Sequence, residues 1–150
     1  IVSRLRDCYN AAVHQGKQGQ IPLWAAGGLG MSGNLAADAF KMICLGANGV
    51  FTGRLMLQIA GCLGNDWGKC NACNTGLCPA GLTTQHPILM KRLDIDKVAQ
   101  NIVNYFLATH TELKKMMAPI GNSTLPVGRS DALITVDKNV AERLGIQHVC

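Results

Sequence analysis

An α/β fold built on a parallel β-α-β unit is what this sequence predicts. Two short apolar runs, Ile21–Ala26 and Gly49–Thr52, each end at glycine and are too brief for helices. Between them, apolar residues recur at helical spacing. A second helical pattern, much longer, runs from Asp94 to Met117.

Along residues 1–15, Ile1, Leu5, Cys8, Ala12 and Val13 fall at helical spacing with Arg4, Arg6, Asp7 and Asn10 between them, and Gln15-Gly16 stops the pattern. A surface helix is expected, with Cys8 on its buried side. The run Ile21-Pro22-Leu23-Trp24-Ala25-Ala26 reads as a strand buried on both faces, ended by Gly27-Gly28. Ser32 or Asn34 can cap the next helix, which carries Leu35, Ala36, Ala39, Met42 and Ile43 and stops at Gly46. Gly49–Thr52 then forms the second buried strand, and Arg54–Ala60 a further helix. The long helix turns Ile95, Val98, Ile102, Tyr105, Phe106, Leu113 and Met116 or Met117 to the core, and Pro119 closes it. Residues 120–135 read as a loop, followed by a short helix from Asp137 to Leu144 with Gly145 as its cap.

With 150 residues, 48% of them hydrophobic, the chain has the composition of a globular domain and buries a core. The net charge of +5 comes from scattered Lys and Arg with no basic block or aromatic ladder, which argues against a nucleic-acid groove. The longest apolar stretch, Val50–Cys62, is interrupted by Thr52, Gly53, Arg54 and Gln58, so no membrane span is expected. The opening residues resemble the middle of an amphipathic helix, and the first numbered residue is not expected to be the true start. Two parallel strands do not make a stable sheet alone. Further strands are therefore expected from upstream polypeptide or from another chain.

Four of the seven cysteines, Cys62, Cys70, Cys73 and Cys78, crowd into one glycine-broken loop, with Pro79 behind the last. Thiolates this dense suit a multinuclear iron-sulfur cluster, whose irons need several sulfurs converging on a small volume. Tetrahedral zinc is the alternative that the same four thiols allow. Lys69 beside Cys70 would soften the negative field of such a site, and Trp67 would shield it or fill a gap. Cys44 reads as a buried hydrophobe. Cys150 carries no interpretation. His86 reads as a loop hydrogen-bonder, while His14, His110 and His148 have no catalytic partner at useful spacing.

The two glycine corners carry a second chemistry. A strand ending in Gly27-Gly28 lets the backbone approach a phosphate, and Thr52-Gly53-Arg54 repeats the device after the second strand. Such paired turns form the phosphate cradle of many β/α barrels.

Taken in order, Ala26-Gly27-Gly28-Leu29, Leu45–Val50, Thr52-Gly53-Arg54, Gly61-Cys62 and Cys73-Asn74-Thr75-Gly76-Leu77-Cys78-Pro79-Ala80-Gly81-Leu82-Thr83-Thr84-Gln85 resemble the FMN-binding synthase domain of glutamate synthase and its archaeal-type relatives. The resemblance runs from about Ile1 to Ile146 and covers the C-terminal part of that domain. It implies strands seven and eight of a (β/α)8 TIM barrel, followed by an iron-sulfur cysteine loop and C-terminal helices. The organisation it implies is residues 1–61 as the last barrel units, 62–92 as the cluster loop and 93–150 as a helical extension.

The resemblance further implies that FMN phosphate rests on backbone amides at Gly27, Gly28, Gly53 and Arg54, and that Cys73 and Cys78 hold iron. In larger relatives a further ligand lies six positions before Cys73, where this chain has Trp67. Archaeal-type relatives have a denser Gly-Cys-x-x-Cys-x-x-Cys-x4-Cys pattern, which Cys62, Cys70, Cys73 and Cys78 match with five extra residues after Cys62. A 3Fe-4S or a 4Fe-4S cluster satisfies this set. The chain departs from the pattern at Gly30 and Asn34, where relatives carry a basic residue and an Asp, and at Arg54, where they more often carry Thr.

The implied reaction is the FMN- and iron-sulfur-dependent reduction of 2-iminoglutarate, formed from 2-oxoglutarate and ammonia, to glutamate. Its implied partners are the remaining barrel polypeptide or subunit of an oligomeric complex and an electron donor such as ferredoxin or an NAD(P)H-oxidising flavin/iron-sulfur subunit. A cytoplasmic location is expected. An N-methylglutamate-forming enzyme and an electron-transfer subunit without its own catalysis are the alternatives, and no catalytic residue is assigned.

Overall fold

The computed structural model describes residues 1–65 and 70–149, so Trp67, Lys69 and Cys150 lie outside the described residues. The chain mixes helices with short parallel strands, as an α/β protein does, and separates into two compact units, Ile1–Thr52 with Thr109–Cys150 and Gly53–Ala108.

In the first unit, α1 (Val2–His14) buries Leu5 alone. Cys8 is exposed, contrary to its expected burial, because only a narrow stripe of this helix meets the core. Strand β1 (Trp24–Ala26) pairs in parallel with β2 (Gly49–Phe51), in the register Trp24↔Gly49, Ala25↔Val50 and Ala26↔Phe51. Asn48 lengthens the pairing, since its Oδ1 accepts from the Leu23 N–H at 2.9 Å and its own N–H donates to the Leu23 carbonyl at 2.7 Å.

Burial on both strand faces is not what the structure shows. Alternation sends Ala25 to the packed side, while Trp24 and Phe51 are 56% and 59% exposed. The two rings sit 5.0 Å apart. Gly49 makes this arrangement possible, because a side chain there would run into the Trp24 indole.

The core of this unit is α2 (Leu35–Cys44), which buries Leu35, Ala36, Ala39, Met42, Ile43 and Cys44. Asn34, not Ser32, caps it: the Asn34 Oδ1 accepts from the Ala37 N–H at 2.8 Å. Backbone bonds from Gly46 to Ile43 and from Ala47 to Met42 close its C-terminus. Residues 120–135 are not wholly loop. Ile134–Thr135 forms β3, which pairs in parallel with β4 (Gln147–His148) across α6 (Lys138–Leu144). Asp137 caps α6 through the N–H groups of Asn139 and Val140, and Gly145 ends it in the left-handed conformation.

The second unit opens with α3 (Arg54–Ile59), passes through short 3-10 turns at Leu63–Asn65 and Ala72–Asn74, and continues through α4 (Pro87–Met90) into α5 (Ile95–Met117), of which the residues up to Ala108 belong to it. The Asp94 Oδ1 caps α5 by accepting from the Lys97 N–H at 3.0 Å. A 3-10 turn containing Pro119 ends α5, as the proline predicts. The apolar stripe of α5 does not reach a core: no residue of it is buried, and Ile95 is 72% exposed. Met116 and Met117 are only half-buried. Among the described residues no helix is long and apolar enough to cross a membrane.

Candidate functional site

The loop after α3 gathers the four thiols. Backbone bonds from Gly61 to Gln58 and from Cys62 to Leu57 turn the chain off the helix end and set Cys62 in place. The Cys62 Sγ accepts from the Gly64 N–H at 3.4 Å. Cys73 sits in the 3-10 turn Ala72–Asn74, which the Thr75 hydroxyl closes by donating to the Ala72 carbonyl at 2.9 Å and accepting from the Leu77 N–H at 3.2 Å. Cys62, Cys70, Cys73 and Cys78 all line one cavity of about 470 Å³. None of these thiols is in a disulfide.

The segment behind Cys78 shows what its small and hydroxylated residues do. The Gly81 N–H donates to the Cys78 carbonyl at 3.1 Å. Gly81 has φ 79°, and a side chain there would press on the Leu89 carbonyl and the Leu93 amide, so the position admits only glycine without strain. Thr84 is 8% exposed, and its hydroxyl donates to the Gly76 carbonyl and accepts from the His86 N–H at 3.1 Å. Arg92 ties down the same turn through the Pro79 carbonyl at 3.1 Å. His86 is a hydrogen-bonder, as its sequence context predicts: its Nδ1 accepts from the Ile88 N–H and caps α4.

This turn is a thiolate nest. The Thr83 backbone N–H is the largest influence on the buried Cys78, followed by an opposing effect of burial and then by the Thr83 hydroxyl and the Leu82 and Ala80 N–H groups. Together they bring the thiol down to about 7. Among the described residues no three Cys, His, Asp or Glu side chains are closed around a point as a finished metal site. The donor set nevertheless suits a soft metal or a cluster, since the described cavity wall has four sulfurs and neither carboxylate nor imidazole.

The glycine corners are built differently from each other. Gly27 and Gly28 follow β1 with φ 130° and 69°, conformations that L side chains rarely adopt. Ile1 fills the space over Gly27, whereas the space over Gly28 is open. Asp38, which no sequence motif marks, organises the turn between Gly28 and α2: its Oδ2 accepts from the Gly30 N–H at 2.9 Å and the Ser32 hydroxyl at 3.2 Å, and Lys41 lies 3.3 Å from its Oδ1. Burial raises the Asp38 carboxyl, but the Gly30 N–H, Lys41 and Ser32 outweigh it and hold the group below its ordinary value. Its place one turn inside a helix start was the available signal. After β2, Gly53 caps α3 without a side-chain bond, and the exposed Arg54 lines the cysteine cavity.

Fold and site together define an α/β protein in which a parallel β-α-β unit is succeeded along the chain by a thiol-lined cavity. The model of the conserved region in glutamate synthase matches residues 3–123, and the chain belongs to the glutamate synthase family. It is 34% identical to the archaeal glutamate synthase (NADPH) of Methanocaldococcus jannaschii over 137 residues, 89% of this chain and 25% of that protein. It is 36% identical to the corresponding protein of Archaeoglobus fulgidus over 79% of this chain and 20% of the relative. It is 30% identical to the ferredoxin-dependent glutamate synthase of Cyanidium caldarium over 64% of this chain and 6% of that relative. The chain thus spans a quarter or less of the length of these relatives. No solved structure matches it.

Proposed function

We propose that this chain is the C-terminal part of a (β/α)8 barrel in an FMN- and iron-sulfur-dependent oxidoreductase that makes glutamate by reducing 2-iminoglutarate. The single observation that carries this reading is that Cys62, Cys70, Cys73 and Cys78 line one cavity, in a chain of the glutamate synthase family. The four cysteines hold the cluster. Backbone amides at Gly27, Gly28, Gly53 and Arg54 receive the FMN phosphate, which the open space over Gly28 supports. When bound, the cluster supplies one-electron transfer and FMN supplies hydride transfer. The protein's own part is to orient these groups, with the Cys78 nest keeping a sulfur ready for iron at neutral pH.

The exposed Trp24 and Phe51 on the short β1–β2 pair support further barrel strands supplied by other polypeptide. Relatives named for NADPH and for ferredoxin support an electron donor of one of these two classes. An electron-transfer subunit without flavin is the second reading. It is favoured by the corner after Gly28, which has no basic side chain at position 30 and whose Gly30 amide is already taken by Asp38.

Anaerobic purification of the full-length protein, with iron and acid-labile sulfide analysis, EPR and FMN release by acid, tests both. Iron, sulfide and FMN together support the enzyme, and cluster without FMN supports the subunit. Zinc in a colourless, EPR-silent protein defeats each of them. Serine substitution of the four cysteines, one at a time, then counts the ligands and separates a 3Fe-4S from a 4Fe-4S cluster.

A further inference from the structure

We propose that the Arg54 side chain sets the reduction potential of the group held by the four cysteines, and does not bind the flavin phosphate. This rests on the iron-sulfur reading above. Arg54 and Leu57, one turn apart on α3, both line the cysteine cavity. The same Leu57 accepts the backbone bond that places Cys62, so one short helix carries Arg54 and anchors the chain at Cys62.

Two facts single out this residue. Apart from the thiols, Arg54 is the one charged side chain among the described residues of the cavity wall. Arg92 and Arg129 are engaged with the Pro79 carbonyl and Asp131, whereas no described residue forms a hydrogen bond or ion pair with the Arg54 side chain. Its charge is therefore not neutralised by a neighbouring described carboxylate.

A cluster bound by thiolates carries net negative charge, and taking one electron from the donor, with no proton, makes it more negative. A cation in the wall stabilises the reduced form more than the oxidised form. The phosphate contact needs only the Arg54 backbone amide, which side-chain substitution leaves intact.

The test uses the full-length holoprotein and the variants Arg54→Gln, Arg54→Met and Arg54→Lys, with iron and sulfide content, acid-released FMN and an EPR-monitored redox titration. The neutral variants should retain iron and FMN. At a fixed ambient potential their reduced-to-oxidised cluster ratio should fall about tenfold, equivalent to about 59 mV for one electron. Arg54→Lys should stay close to the parent. An intact cluster with an unchanged ratio in Arg54→Gln overturns the proposal, and loss of FMN at unchanged potential returns the side chain to the phosphate. Collapse of iron content in both neutral variants overturns it in favour of a purely structural role. A parent protein without iron would instead bring down the iron-sulfur reading itself, along with this one.

Discussion

The Thr84 hydroxyl donates to the Gly76 carbonyl across eight positions, closing the chain into a loop that contains the Cys78 turn. The same oxygen accepts from the His86 N–H, so one small side chain joins the thiol turn to the cap of α4. Removing it would leave the Gly76 carbonyl and the His86 amide, both on exposed residues, without this partner. Thr84→Val is expected to cost about 1 kcal/mol, as the loss of hydrogen bonds whose partners water can reach does, with Thr84→Ser much milder. Hydrogen exchange over residues 76–86 and a denaturant titration check this. Unchanged protection in the valine variant would count against the loop-closing role.

Gly81 faces backbone, not a side chain that could move aside. An added Cβ would lie 3.1 Å from the Leu93 amide and closer still to the Leu89 carbonyl, at φ 79°. Strain from that conformation alone is about 1–3 kcal/mol, so Gly81→Ala should be destabilised by at least this much. Thermal unfolding reads the loss. On the proposed iron-sulfur reading, iron content in the same variant should also fall, since the Gly81 N–H holds the Cys78 carbonyl.

Acid should loosen the corner after β1. The Asp38 carboxyl is held below its ordinary value of 3.8 in the folded chain, so the unfolded chain binds the proton first as pH falls. Its contribution is fully present above that value and is lost as pH drops through the lower folded value. Asp38→Asn should therefore reduce stability at pH 7 and flatten the acid limb as pH falls below the ordinary value of 3.8. Denaturant midpoints across pH provide the measurement, and an unaltered acid limb would be the contrary result.

Two cysteines outside the loop should differ sharply in reactivity. Cys8 is exposed, while Cys44 is 0% exposed. Burial, and then the Asp131 charge, pushes the Cys44 thiol up to about 11 against a smaller opposing effect of Arg129. Since the thiolate is the nucleophile, iodoacetamide at pH 8 should modify Cys8 at least about a hundredfold faster than Cys44 in the native protein. Peptide mass spectrometry with time resolves the two. Equal rates would mean that the first unit opens far more readily than its packing implies.

The contrast between these two residues shows how burial was legible only in part. Both cysteines sit on apolar helical patterns, but α2 packs a broad face and α1 only Leu5, and helical periodicity does not reveal how much partner surface each face will find. The same gap accounts for Trp24, Phe51 and Ile95. Their patterns mark them as apolar-side residues, yet among the described residues nothing covers them enough to bury them. The β3–β4 pair escaped because two-residue strands are too short to show alternation.

What could be settled from the linear order of residues was local: helix starts near Ser32 or Asn34, Asp94 and Asp137, Pro119 and Gly145 as stops, and four thiols crowded into one short stretch of chain. These rest on hydrogen bonds and dihedral preferences that span only a few residues. Folding in three dimensions decided which thiols are hidden, that Asp38 commands the Gly30 amide, that Thr84 closes the Cys78 turn, and that the Arg54 side chain shares the cysteine cavity. Each depends on surfaces and groups brought together by packing, and a one-dimensional pattern carries no measure of that proximity.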